Sequence, residues 1–496
     1  MRRAWVRLDN ASNIFLAARS AADPKVFRLS AELDRIVDPR ALQSAVEATF
    51  DRYQLFHAVL RRGVFWYYLQ ASDLRPRVTA EELPTCAPLY QADKRHLLFR
   101  VLHHDRRISL EVFHALADGT GALWFLSDVM TAYARLCTLD HRDDHDHGDG
   151  NRDAAHGPAG PDPTGRGGAA RRGEEPVADP AAPVHGLTTD SFAHYFQRLR
   201  RTRPPAVDLD ADFRRAAAAP VDGERAAGRP PSGGRPHHRA STRARQIRTG
   251  AYRVKGTRTP DDRTRAVELT VSARDVLALA RAEGVSLTMY LTAAFCQAIR
   301  ATSPRTGRNT TLAASVPVNL RQFFPSTSPR NFFATIRVEH TYGRGPDDLG
   351  TVCRLLDGQF RPRATPEALA EKLQKLVRFE RMPLLRVVPR PVKDLILRVV
   401  NWGSNRGLSV AVSNLGRVTL PAPAEDAVRG MQFHVSAVRP QLCAISHAGL
   451  LTLTFTSPFT ETDHIREFAR LLTAGGVAVT VGAAPVTEAE IAELSS

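Results

Sequence analysis

A single histidine followed at fixed spacing by an acid and a glycine, His114-Ala115-Leu116-Ala117-Asp118-Gly119, is the sharpest chemical feature of this chain. Histidine is the side chain whose ordinary pKa lies near neutral pH, so its neutral ring can accept a proton from a hydroxyl or an amine. Asp118, four residues on, is suited to hold a loop or pair with an arginine, and Gly119 permits close backbone approach. The segment before it, Ile108–Phe113, reads as a strand, and Ala122–Leu136 reads as a helix with Leu123, Leu126, Met130 and Tyr133 on one face. His114 is therefore expected where a strand ends and the chain turns, a place that presents a ring to a cleft. Taken alone, the same residues also describe a satisfied, half-buried histidine at a strand end.

The surrounding elements set the frame. Arg40–Phe56 carries apolar residues at three- and four-residue steps after Pro39, an amphipathic helix, and Leu97–His103 with Ile108–Phe113 forms a hairpin. Arg265–Val271, Thr311–Val318, Leu408–Val412, Phe433–Val438 and Leu450–Thr456 read as strands. Ser272 and Ser286 are helix caps, and the helix after Ser286 is apolar almost all round. Helices and strands interleave in two zones, so the fold class is α/β or α+β in two halves. The expected division is residues 1–139, a basic low-complexity linker or insertion at 140–264, and residues 265–496. Within the linker, Thr189–Leu199 has the spacing of a short docking helix.

Composition narrows the rest. The chain has 496 residues, 43% hydrophobic and 24% charged, ordinary values for a globular protein. No stretch of 18 apolar residues suggests a membrane span, and the basic start MRRAWVRLDNASNIF has no apolar core of a secretory signal. The five cysteines lack C-x-x-C spacing, so neither a zinc ribbon nor a disulfide framework is indicated, and a cytoplasmic location is the expectation. The net charge of +16 raises nucleic acid or anionic surfaces as partners. Yet residues 201–265 alone hold 16 Lys and Arg against 7 Asp and Glu, and no nucleic-acid-binding motif accompanies them, so no nucleic acid is expected. The His and Asp run at 141–149 lacks fixed spacing on a regular element and reads as solvated chain, so no metal is expected. No Gly-x-Ser-x-Gly elbow supports a serine hydrolase.

With the His-x-x-x-Asp-Gly motif between strand and helix, the sequence resembles the CoA-dependent acyltransferase superfamily. That group includes chloramphenicol acetyltransferase, plant BAHD acyltransferases, condensation domains, wax ester synthases and bacterial alcohol acetyltransferase-like proteins, the last being the nearest in pattern. Further segments resemble the superfamily in order: Arg52–Leu60, Ser315-Val316-Pro317-Val318-Asn319-Leu320-Arg321, Asn331-Phe332-Phe333, and Ser413-Asn414-Leu415-Gly416, likened to the late strand that crosses between halves. Phe113 stands where condensation domains and wax ester synthases carry a second histidine, and the plant Asp-Phe-Gly-Trp-Gly segment is absent.

The resemblance implies a pseudodimer of two chloramphenicol-acetyltransferase-like halves with a tunnel between them. It implies transfer from an acyl-CoA or acyl carrier protein to an alcohol or amine, with no bound cofactor and no covalent acyl-enzyme. His114 is then the general base, and Asp118 with Gly119 completes the motif. Arg321 is the structural partner of Asp118, and a monomer suffices. Ser413 and Asn414 stand as oxyanion donors or, equally, as part of a turn. The alternative reading is a catalytically silent docking module of the same fold.

Overall fold

The structure is a computed structural model that describes residues 5–8, 10–92, 94–146, 250–259, 263–303, 309–380 and 388–483. The linker from 147 to 249, with the Thr189–Leu199 segment and residues 147–149 of the His and Asp run, lies outside the described residues.

The first half is built on a five-stranded sheet of order β12-β2-β7-β6-β5. Here β2 is Val26–Leu33, β5 Val78–Ala80, β6 Phe99–His104, β7 Arg107–Phe113 and β12 Val428–Val435. Strand β2, an interior strand paired with β12 and β7, is buried along nearly its whole length. Two helices cover the sheet and pack on each other, α2 (Pro39–Arg52) and α3 (Gly119–Asp146). Helix α2 starts where the sequence signals it: the Asp38 carboxylate accepts from Arg40 N at 2.8 Å, and Pro39 occupies the first helical position. The β6–β7 turn places Asp105 at φ +46°, a left-handed conformation that a short polar side chain tolerates.

The second half is a seven-stranded sheet of order β10-β9-β11-β13-β14-β8-β15. Its strands are β8 Arg265–Ser272, β9 Thr310–Asn319, β10 Phe333–Tyr342, β11 Val410–Arg417, β13 Gln441–His447, β14 Leu450–Ser457 and β15 Val479–Ala483. Helix α5 (Leu287–Thr302) follows α4 (Ala273–Ala282) and is buried on most of its surface, capped by Ser286 accepting from Met289 N.

The halves are not separated cleanly in sequence. Strand β12 crosses over to complete the first half's sheet, with Phe433 opposite Leu29 and Val435 opposite Phe27. The crossing strand is therefore β12, whereas the Ser413–Gly416 segment stays in β11, parallel to β13. Strand β13 joins the two cores through its pleat: Cys443 and Ile445 lie in the first hydrophobic core, Leu442 and Ala444 in the second.

The expected linker bounds also differ from the chain's path. Helix α3 continues to Asp146, through the start of the polar His and Asp run. Downstream, Tyr252 N donates to Thr311 O at 2.8 Å, the Ser409 hydroxyl donates to Tyr252 O, and Arg258 forms a bridge to Phe459. Residues 250–259 thus pack on the second half because their backbone groups find partners there, although their composition reads as linker.

Candidate active site

The β7 strand ends at Phe113, and the next residue leaves the ladder. His114 N donates to Lys25 O at 2.8 Å, and Leu116 N closes a turn on Phe113 O. This kink carries the His114 ring off the sheet between aromatic neighbours. Phe15, on α1 (Asn10–Ala18), stacks on the imidazole at 4.0 Å between centroids and 13° between planes. Phe27 meets it edge-on at 5.0 Å, and Phe333 from the second half lies at 5.7 Å. The residue remains half-buried.

The proton on this ring is assigned by its neighbours. Asn331 Nδ2 lies 2.7 Å from His114 O, and a carbonyl can only accept, so the amide orientation is set. The same Nδ2 lies 2.9 Å from the Ser12 hydroxyl oxygen. Asn331 Oδ1 must then face His114 Nδ1, at 3.1 Å, as an acceptor. Nδ1 therefore carries the hydrogen, and Nε2 carries the lone pair. Nε2 has no hydrogen-bond partner among the described residues. Burial pushes the His114 pKa below its ordinary 6.5, against the opposing pull of Asp118 and Asn331. The ring is thus neutral at pH 7, with its basic nitrogen free.

Asp118 works behind the ring. Its Oδ1 accepts from Gly121 N at 2.9 Å, capping α3. Its Oδ2 accepts from Arg321 Nη1 at 2.7 Å and from Phe332 N at 2.8 Å. Both side chains of the ion pair are only 7% exposed. Arg321 also donates through Nη2 to Ser328 O and Arg330 O, both at 2.7 Å. One guanidinium thus ties the loop 328–332 of the second half to the motif loop of the first, a task suited to its rigid fork. The carboxylate holds the loop and is turned to these donors rather than to the ring.

Two glycines let the halves approach. A Cβ on Gly121 would stand 2.0 Å from Pro329 O and 2.7 Å from Pro329 C, so only glycine fits there. A Cβ on Gly119 would stand 2.9 Å from Leu415 Cδ2. The Ser413–Gly416 segment therefore does reach the motif, through Leu415. Within it, Asn414 Oδ1 accepts from Gly416 N at 2.8 Å, Gly416 has φ +80°, and Asn414 Nδ2 donates to Thr288 Oγ1 at 3.0 Å. That is the turn geometry, and it occupies the Asn414 side chain. Ser413 is half-buried and its hydroxyl has no hydrogen-bond partner among the described residues.

The motif reading located His114, Asp118, Gly119 and Arg321, and the structure brings these four together. It did not single out Asn331, Ser12, Phe15, Lys25 or Gly121. Asn331 was quoted only as part of a segment, and its 217-residue separation from His114 leaves no local signal. Among the described residues no group of three or more His, Cys, Asp and Glu could hold a metal ion, and no helix is long and apolar enough to cross a membrane.

No family model matches the sequence, and no curated protein matches it. Solved structures do match along almost the whole chain. Trichothecene 15-O-acetyltransferase from Fusarium sporotrichioides superposes with a TM-score of 0.54 at 10% identity, covering 96% of this chain and 95% of that one. A mutant starter condensation domain of rhizomide synthetase, in complex with C8-CoA, gives 0.53 at 12% identity, covering 95% and 94%. The first condensation domain of the CDA synthetase gives 0.52 at 14% identity, covering 96% and 99%. From the joined halves, the crossing strand and these full-length likenesses, the chain has the two-half α/β fold seen in these acetyltransferase and condensation-domain structures.

Proposed function

We propose that this protein is an acyltransferase that moves an acyl group from a CoA or carrier-protein thioester to an alcohol or amine. The observation that carries the reading is the fixed tautomer of His114: Asn331 holds Nδ1–H, and Nε2 presents a free lone pair from a neutral ring. The acceptor O–H or N–H gives its proton to Nε2 as the oxygen or nitrogen attacks the thioester carbonyl. The tetrahedral intermediate collapses with loss of the thiolate, which takes the proton back from the imidazolium. The products are an ester or amide and a free thiol, and no acyl-enzyme forms. Asp118 and Arg321 keep the motif loop in place, and a passage between the halves would admit donor and acceptor from opposite sides. Of the two candidate oxyanion donors, Ser413 has the uncommitted hydroxyl, and Asn414 is held in its turn. An alcohol acceptor, as in bacterial alcohol acetyltransferase-like proteins, is the narrower form of the proposal.

The test uses a panel of short and long acyl-CoAs with simple alcohols and amines, scored for free thiol, and intact mass of the protein with donor alone. Acceptor-dependent thiol release with no acyl adduct supports direct transfer. A stable adduct would contradict it, and silence with CoA donors and with acylated carrier protein would remove the reading.

A further inference from the structure

Helix α8 (Arg390–Arg406) is amphipathic in the wrong sense for a helix of a protein surrounded by water. Val392, Leu395, Ile396, Val399, Val400 and Trp402 are exposed, by 38 to 60%. At 100° per residue they share one arc of the helix. The opposite arc carries Arg390 and Asp394, and it is this polar side that meets the protein. Arg390 Nη1 donates to Gly63 O at 3.0 Å, and the Tyr67 hydroxyl donates to Asp394 at 2.9 Å. The apolar patch continues onto the turn between β3 (Ala58–Arg62) and β4 (Tyr67–Ala71), the β3–β4 turn, where Val64 is 72% and Phe65 43% exposed. Arg390 N and Lys393 Nζ hold that turn through Val64 O and Phe65 O.

The charges around this face have one sign. Lys393 and Arg398 flank the apolar arc, and Arg406 lies over the Trp402 ring at 4.1 Å. The helix's sole acid, Asp394, is turned inward. A second copy docking here would bring like charges together. An exposed apolar face flanked by basic residues and carrying a tryptophan matches the headgroup layer of an anionic bilayer, into which such helices sink without spanning.

We propose that α8 with the β3–β4 turn is a docking surface for an anionic lipid membrane. The other side of α8 packs on α1, whose Phe15 stacks on His114. Resting on the acyl-transfer reading, this places a docked membrane one helix away from the reacting ring and suits a membrane-resident acyl donor or acceptor.

The experiment is flotation of the full chain with phosphatidylcholine vesicles, with and without 30% phosphatidylglycerol, for wild type and for Leu395→Glu/Val399→Glu/Trp402→Glu. All three side chains point to solvent, and the variant's melting point checks the fold. The proposal expects binding to the anionic vesicles only, and at least a tenfold weaker partition for the triple variant. A fluorophore on Val399→Cys should brighten and shift blue on the same vesicles. No binding by wild type overturns the proposal. Undiminished binding by the triple variant also overturns it, since the basic 201–265 segment would then suffice. So does a wild-type dimer that the triple substitution turns into monomers, or vesicle binding that appears only after residues 184–200 are deleted. Thiol release from soluble acyl-CoA should be equal in both proteins. Its absence from both bears on the acyl-transfer reading alone and leaves the vesicle result decisive.

Discussion

Replacing Asp118 by Asn changes one atom pair and removes one buried charge. The carboxylate accepts three hydrogen bonds, from Gly121 N, Arg321 Nη1 and Phe332 N, at 2.7–2.9 Å. An asparagine can keep one acceptor oxygen on Gly121 N. Its amide then turns N–H groups toward Arg321 and Phe332 N, so two donors lose their acceptor. The Arg321 side chain, 7% exposed, is left without its counter-charge. Breaking a buried pair in this way costs about 3–5 kcal/mol, a large share of the 5–15 kcal/mol typical of a whole domain. Urea unfolding should show that loss. Asp118→Asn combined with Arg321→Gln should be less destabilised than the two single changes summed, by about 2 kcal/mol, because removing both partners spares the orphaned cation. Transfer activity should fall mainly in kcat, because Phe332 N and Asn331 are adjacent and Asn331 sets the ring. A cost under about 1 kcal/mol for Asp118→Asn, or strictly additive costs, would refute this account of the pair.

Gly121→Ala forces a Cβ onto Pro329 O, at 2.0 Å, so the interface between the halves must open; a drop of about 2 kcal/mol or more in urea unfolding is expected, against a few tenths for an ordinary surface Gly→Ala. Glu111, fully buried on β7, is paired with both Arg28 and Arg100. Glu111→Gln leaves the Arg100 guanidinium without an acid, while Arg28 keeps Glu81, and should cost about 3 kcal/mol, measured the same way. His464 is buried, its Nε2 has no partner among the described residues, and burial lowers its pKa to about 4. Its folded pKa lies below the unfolded 6.5, so the unfolded chain binds the extra proton and stability is lost as pH falls from 6.5 toward 4, by about 3 kcal/mol at most. His464→Leu should flatten that slope. For catalysis, the lowered pKa of His114 puts the acid limb of kcat/KM at a midpoint below 6.5, with a plateau above it; a midpoint above 7 would contradict the neutral ring.

What could be read without coordinates was local. His114 stands at a strand end because Ile108–Phe113 and the following glycine and helix are contiguous, and caps such as Ser272 and Ser286 act within three residues. Arg321 was reached only through resemblance, since its pairing with Asp118 spans 203 residues. Asn331 and the Gly121–Pro329 contact had no signature, because each depends on how two separately folded halves meet. The crossing strand was placed one strand early, in β11, because β11 and β12 are both short apolar runs and only pairing with β2 separates them. Composition misplaced residues 250–259, whose backbone hydrogen bonds hold them to the second half despite their polar sequence.

Acyl transfer by the proposed mechanism turns on one nitrogen, His114 Nε2. With a donor and acceptor from the thiol-release panel, kcat of His114→Ala is the most direct measurement, taken on protein whose melting point matches wild type. General-base removal should lower acceptor-dependent transfer by roughly 10²–10⁴-fold and abolish the acid limb of the pH profile. A folded His114→Ala that keeps transfer within threefold of wild type would contradict the mechanism.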